Sequence, residues 1–414
     1  MFSLSGDCTR IAAVSPKPGS SPPVLLLGGA ANSLSIVRSL GSKGIPVRVS
    51  AGRSCLAGLS RYCSGSFLYP ENASSLDYWG ELLLGADRSP FAGHVIFACS
   101  DDALEFLARH RSELERLYLL DDYVPELVLD MLDKQRTLHW ARSLGLATPL
   151  FWKLDRLADF DELENAVTSR VILKPVHSHL FRRYYPDRKY LGPGYLKDLR
   201  QQAATLLERG LEIIVSELIP GPDSLLCSHY TYISNDGKAL FDFTKRVLRR
   251  YPVNEGLGTY HVTEWLPETA ELGKKFFQGM GFRGFGNIEF KRDLRDGALK
   301  VIECNARFTH AQELLVRSGM DSAMIVYNHV VGLPLPDVRS YTQDARLLFI
   351  RDDFHAFRQL HARGELGRLQ WLRSIAHKQI FPYFSLSDPW PVVSNFLSRL
   401  NRKNRRLWKR IIGR

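Results

Sequence analysis

No stretch of this chain approaches the roughly 18 to 20 continuous apolar residues that a membrane-spanning helix needs, which argues against a helical membrane protein. The opening segment "MFSLSGDCTRIAAVSPKPGSSPP" carries an early acid and no sustained apolar core, so no secretory signal is expected and the expected location is cytoplasmic. Cysteine is sparse and scattered. The six residues at 8, 55, 63, 99, 227 and 304 form no CxxC pair, which argues against a disulfide framework or a zinc site and leaves ordinary reduced thiols. There is no internal repeat, and low complexity is confined to a Ser-, Pro- and Gly-rich flexible leader over residues 1–22. What the last segment lacks is acid: Arg399, Arg402, Lys403, Arg405, Arg406, Lys409, Arg410 and Arg414 account for 8 of the formal net charge of +11. The rest is nearly balanced, so the charge is not a nucleic-acid footprint.

With 414 residues and 45% hydrophobic content, the chain is long enough for two or three packed units. "PVLLLGGAANSLSIVRSLGSKGIPVRVSA" runs apolar strand, small-residue turn, amphipathic helix and strand, and "HVIFACSDDALEFLARHR" repeats that grammar. This predicts a doubly wound, Rossmann-like unit over residues 23–122. The turn "GGAANS" lacks the third glycine of GxGxxG and is read as a tight structural turn, not a NAD site.

A second unit is predicted over residues 123–335. "MLDKQRTLHWARSLGLATPLFWKL" reads as a helix stopped at Gly145. Strands follow in "RVILKPV", "LEIIVSELIP", "SHYTYISNDG" into "ALFDFTKRV", "GNIEFKRD" and "ALKVIECNARF", with helices near 268–281 and 311–331 and a hairpin turn at Asn235, Asp236 and Gly237. Residues 336–414 form a C-terminal extension.

The chemistry concentrates in "VIECNARF". On a strand, Glu303, Asn305 and Arg307 share one face while Ile302, Cys304 and Ala306 share the other. Mg²⁺ takes two or three hard oxygen ligands from a rigid support and completes its octahedron with water and phosphate. Glu289 on one strand with Glu303 and Asn305 on its neighbour would supply them. Lys174 sits inside an apolar strand, where an ammonium without an anionic partner is costly.

The ordered set "DK" at 133–134, "ILKP" at 172–175, "SELIPGPDS" at 216–224, "NIEFKRD" at 287–293 and "VIECNAR" at 301–307 resembles the ATP-grasp superfamily, over residues 24–335. The resemblance implies an α/β and α+β fold, a Rossmann-like N-terminal domain followed by a two-subdomain ATP-grasp fold. It implies ATP with Mg²⁺ or Mn²⁺ held by Glu289, Glu303 and Asn305, and Arg307 facing the transferring phosphoryl group. Lys134 and Lys174 would reach the phosphates, the main chain of Glu217, Leu218 and Ile219 would bond the adenine edge, and Asp223 would accept from the ribose. The segment "TKRVLRRYPVNEGLGTYHVTEW" is similar to one in a carboxylate–amine ligase branch. There Lys245, Arg246 and Arg249 would bring positive charge to the γ-phosphate or an acidic substrate. Gly256, Gly258 and Thr259 read as a substrate loop with unusual backbone angles.

The family's glycine-rich loop is missing. "VHSHLFRRYYPDRKYLGPGYL" stands in its place, with Gly192 and Gly194 as sources of mobility and Arg182, Arg183, Arg188 or Lys189 as candidates to cover the phosphates. His177 and His179 lack companions at ligand spacing, so no metal is assigned to them. The implied activity joins a small-molecule carboxylate to an amine through an acyl phosphate, releasing ADP and phosphate. Two alternatives stay open: a bicarbonate-using carboxylase or carbamoyl phosphate type enzyme, and a nucleotide-binding scaffold without turnover. In the basic tail, Phe396, Leu400, Leu407 and Ile411 form one apolar helical face. This suggests peripheral contact with an anionic membrane, against a docked helix or RNA binding. A homodimer is a further expectation.

Overall fold

The computed structural model describes residues 21–396 apart from 71–72, 86–88, 165–166, 178–180, 182–183, 186–188 and 339. The basic residues of the tail and its apolar positions after Phe396 lie outside the described residues, as do His179, Arg182, Arg183 and Arg188.

Among the described residues, three sheets organise the chain. In the first, β1 (Val24–Leu27), β2 (Val47–Gly52), β3 (Cys63–Tyr69) and β4 (Val95–Ala98) run parallel in the order β3-β2-β1-β4. The "VLLL" of β1 is buried throughout because both faces are covered. Leu25 and Leu27 pack with Trp79 and Phe106, while Val24 and Leu26 pack with Leu34 and Ile36. Gly28 (φ 73°) and Gly29 (φ 88°) turn the chain from β1 into the helix Ala31–Gly41 in left-handed backbone that only glycine adopts cheaply.

The second sheet is antiparallel, β5-β8-β6-β7, built from β5 (Phe151–Leu154), β6 (Val171–Pro175), β7 (Leu191–Gly194) and β8 (Ile213–Glu217). The helices Leu157–Glu164 and Leu196–Glu208 pack on it around Phe160, Leu199 and Leu206.

The third sheet has seven strands in the order β13-β12-β9-β10-β11-β14-β15. Its members are β9 (Leu226–Ile233), β10 (Ala239–Tyr251), β11 (Leu257–Thr263), β12 (Gly284–Arg292), β13 (Leu299–Asn305), β14 (Arg346–Leu348) and β15 (Gln379–Ile380). The expected hairpin joins β9 to β10, with Gly237 at φ 83°.

Three local readings need correction. The helix expected over 311–331 is two, Gln312–Arg317 and Ser322–Val331, interrupted at Gly319 (φ 104°) and restarted by the Asp321 cap. The substrate loop read at Gly256, Gly258 and Thr259 is in part a strand, Leu257–Thr263, so Gly258 and Thr259 lie on β11. The sheet also continues past residue 335, since β14 pairs antiparallel with β11. The extension is anchored to the first unit by a buried ion pair, Arg38 Nε to Asp388 Oδ2 at 2.9 Å, and the Ser60 hydroxyl and Arg61 amide also donate to Asp388. An ion pair out of water holds only with such added hydrogen bonds.

Candidate active site

β12 and β13 run antiparallel in a register that sets Glu289 directly opposite Glu303 and Asn287 opposite Asn305. Opposed residues on one sheet face have Cβ atoms about 5 Å apart, so the two carboxylates face one another. Burial raises the Glu289 pKa, and the Glu303 charge raises it further. Burial also acts upward on Glu303, but Lys189, Lys134 and Lys174 outweigh it and hold that carboxyl well below its usual range. The Lys189 ammonium lies 3.5 Å from Glu303 Oε1. Asn305 completes the set, donating to Asn287 Oδ1 at 3.3 Å.

The carboxylate pair forms the floor of a cavity of about 160 Å³ between the second and third sheets and the first unit. Lys134 reaches it as the first residue of the helix Lys134–Ser143, whose start is fixed by Asp133 accepting from the Gln135 and Arg136 amides. Lys174 enters from β6, 8% exposed. Burial lowers its pKa to about 8, with Lys134, Lys189 and Arg250 adding to the effect and Glu303 opposing it. Lys245 enters from β10, also buried and with a lowered pKa, its Nζ 3.1 Å from the Ser228 hydroxyl. Arg307 lies at the cavity wall, with its Nε 2.6 Å from Asp101 Oδ1 and one Nη donating to Asn305 Oδ1 at 3.3 Å.

The structure thus brings together Lys134, Lys174, Lys245, Glu289, Glu303, Asn305 and Arg307. Among the described residues no group of three or more His, Cys, Asp or Glu side chains is placed to hold a metal ion by itself. Two carboxylates and an amide oxygen on paired strands fit the Mg²⁺ pattern, in which water and phosphate oxygens fill the remaining positions.

Other expected residues sit elsewhere. Arg246 does not line the cavity: strand alternation turns it to the opposite face from Lys245, where it is ion-paired with Glu264 at 2.8 Å. Arg249 is also directed away, held bidentate by Asp353 at 2.8 Å through each of two nitrogens. Register shifts between Val247 and Arg250 interrupt the alternation and bring Arg250 into the cavity instead. Asp223 is buried and accepts from Arg250 Nε at 2.7 Å and from the Arg250 and Asn254 amides at 3.2 Å each, which uses most of its acceptor capacity. The Glu217 side chain is likewise occupied, by Arg295 at 2.7 Å and the Leu150 amide at 3.2 Å.

In the hinge, the Glu217 and Leu218 amides donate to Leu150 and Arg170 carbonyls. Lys291 Nζ clamps the Ile219 and Gly221 carbonyls at 2.9 and 2.8 Å. Gly256 and Gly258 do line the cavity, yet neither has positive φ. Space is the reason for glycine there, since a Cβ on Gly258 would overlap the His261 ring and one on Gly256 the Tyr251 carbonyl.

Sequence reasoning missed Asp101, Arg250, His261 and His310. Asp101 had a usable signal, because "CSDDALE" opens a helix at the carboxyl end of parallel strand β4, where doubly wound sheets place functional groups.

A similar fold is found in solved enzymes, several of them complexed with adenine nucleotides. Similar solved structures include the biotin carboxylase domain of 2-oxoglutarate carboxylase from Hydrogenobacter thermophilus, complexed with MgADP, ADP and bicarbonate (TM-score 0.61, 13% identity, 79% of this chain and 74% of that one). The L-amino acid ligase of Bacillus licheniformis is another (TM-score 0.54, 17% identity, 75% of each chain). N5-carboxyaminoimidazole ribonucleotide synthetases recur among such structures. Among curated proteins, D-aspartate ligase of Enterococcus faecium (strain Aus0004) is 23% identical over 246 residues, 56% of this chain and 58% of that protein. The chain thus spans less than two thirds of that relative's length. The sequence matches no family model.

Proposed function

We propose that the protein joins a carboxylate to an amine at the expense of ATP, through an acyl phosphate, releasing ADP and phosphate. The observation that carries this reading is the opposed Glu289–Glu303 pair beneath Lys134, Lys174, Lys189, Lys245, Arg250 and Arg307. Six cations around two carboxylates suit several anionic groups at once. Phosphoryl transfer asks mainly for positioning and charge neutralisation.

In this reading Glu289, Glu303 and Asn305 hold Mg²⁺ or Mn²⁺, which would neutralise phosphate charge when bound. Lys134 and Lys174 contact phosphate oxygens, and Lys189 replaces the absent glycine-rich loop as their cover. The planar Arg307 fork, fixed by Asp101, receives the transferring phosphoryl group or the carboxylate. In the hinge, Ile219 meets the adenine edge, because its amide donates to no acceptor among the described residues while those of Glu217 and Leu218 are used. Arg250 takes the charge-neutralising place expected of Arg246. Enclosure between the sheets keeps water from the acyl phosphate.

The carboxylate itself divides the reading. The D-aspartate ligase and L-amino acid ligase matches favour an organic acid. The carboxylating enzymes recurring among the solved structures weigh more heavily, and favour bicarbonate activated in the same site. A screen of ADP release over amino acids, other carboxylates and bicarbonate, each with and without added amines, separates the two. No ADP formation with any carboxylate or with bicarbonate would overturn both and leave a nucleotide-binding scaffold.

No described helix is long and apolar enough to cross a membrane. We further propose that the basic tail binds anionic lipid surfaces, supported by its eight basic residues and its apolar positions 396, 400, 407 and 411.

A further inference from the structure

Two imidazoles line the cavity alongside the phosphate machinery. His261, on β11, is 5% exposed, its ring lying over Gly258 where any side chain would collide with it. Its Nδ1 is buried without a hydrogen-bond partner among the described residues, while the ring meets the Gly258 backbone. His310, five residues beyond the end of β13, buries an Nε2 that also lacks a partner among them. The His310 ring meets Phe349 edge-on with centroids 4.2 Å apart, and the His261 ring stands 6.4 Å from the same phenyl group. A buried nitrogen without a partner costs about 1–3 kcal/mol, so two in one cavity point to a ligand that completes them.

Their surroundings indicate which ligand. Lys189, Lys245 and Arg307 all stand close enough to bear on these rings. Burial foremost, then Lys245, keeps His261 neutral. Burial, then Lys189 and Arg307, holds His310 at about 4. A field that rejects a proton on imidazole also opposes a bound ammonium and favours the free amine, the form that attacks an acyl phosphate. Glu289 and Glu303 face the metal position, which leaves the neutral ring nitrogens as acceptors suited to an amine N–H.

We propose that His261 and His310 form the amine-holding end of the site, their Nδ1 and Nε2 accepting the amine hydrogens and turning its lone pair to the acyl carbon. The assignment rests on the acyl-phosphate reading. As the C–N bond forms, the C–O bond to phosphate breaks and its electron pair leaves with the phosphate. The nitrogen then carries one proton too many, far more acidic than in the free ammonium. The departing phosphate takes it, with His310 Nε2, too weakly basic to hold the proton itself, accepting its hydrogen bond until it leaves.

Methylamine and hydroxylamine test this, because they are nearly equal in size while only methylamine is mostly protonated at neutral pH. Products of both are quantified by mass spectrometry with whichever of aspartate and bicarbonate supports ADP release. His310→Gln and, as a second variant, His310→Asn should each lower the ratio of methylamine to hydroxylamine product by about tenfold, the scale of one hydrogen bond to a charged nitrogen. His261→Asn should raise the methylamine KM more than it lowers kcat. A general loss of folded protein lowers both products and leaves the ratio unmoved, so an unchanged ratio in both His310 variants overturns the assignment. Wild-type protein that releases ADP but forms no hydroxylamine product overturns the acyl-phosphate reading, and this assignment with it.

Discussion

Replacing Lys174 by Met should stabilise the protein while weakening nucleotide binding. The lysine is 8% exposed on β6, and its surroundings lower its pKa from 10.5 to about 8. At pH 7 the side chain is still charged in both the folded and unfolded chain, so the folded state bears the full cost of that shift, about 3 kcal/mol at 1.36 kcal/mol per unit. Methionine of similar length removes the charge, and the loss of Glu303's partner returns part of the gain, leaving a net stabilisation of about 1–2 kcal/mol. The sign follows from proton counts. Between pH 8 and 10.5 the unfolded chain binds more protons at this site than the folded one, so wild-type stability rises with pH across that window and the variant's advantage closes. Losing a charge-assisted contact to phosphate should weaken MgADP by about 10- to 100-fold. Denaturant unfolding at pH 7 and pH 9.5, with calorimetric titration of MgADP, reads both effects. A variant less stable than wild type at pH 7, or an advantage that does not shrink by pH 9.5, would refute the reasoning.

Glu303→Gln removes a carboxylate charge with almost no change in volume. It should abolish turnover and keep the fold; a variant retaining more than about a tenth of the rate, a barrier change under about 1.4 kcal/mol, would remove Glu303 from the metal site. Arg250→Ala should cut turnover at least about tenfold while Arg246→Ala stays within about twofold, since only the first side chain enters the cavity. Product analysis should find ADP and phosphate with an absolute need for Mg²⁺ or Mn²⁺, and AMP with pyrophosphate would contradict the γ-phosphoryl assignment. Full-length protein should co-sediment with anionic vesicles and lose most of that binding in high salt or on truncation after Ser394; equal partitioning of both forms would exclude a role for the tail.

Most of the scaffold was legible because its signals are local. Short apolar runs bounded by turn residues marked β1, β4, β6, β8, β9, β12 and β13, and the two-residue period placed Glu303 and Asn305 on one face with Arg307 beyond them. What escaped notice depends on pairing between distant segments. The shifts in register along β10 are set against β11, and they exchange Arg249 for Arg250 at the cavity. Asp223 looked available in sequence, yet the arginine that occupies it lies 27 residues away. His261 was missed because "EGLGTYHV" has the glycine content of a loop; its glycines instead make room for the His261 ring and the Tyr251 carbonyl. Arg246 was misplaced for a simpler reason, since strand alternation already puts it opposite Lys245.

The most direct test of the account follows oxygen from the carboxylate. The substrate that supports ADP release is supplied with ¹⁸O in its carboxyl group, and the phosphate formed in a single turnover is examined by mass spectrometry. Attack of the carboxylate on the γ-phosphate, followed by displacement by an amine, transfers one labelled oxygen to each phosphate. Phosphate free of label, with the ¹⁸O retained in the product or carried into AMP, would contradict an acyl phosphate and the function proposed for this site.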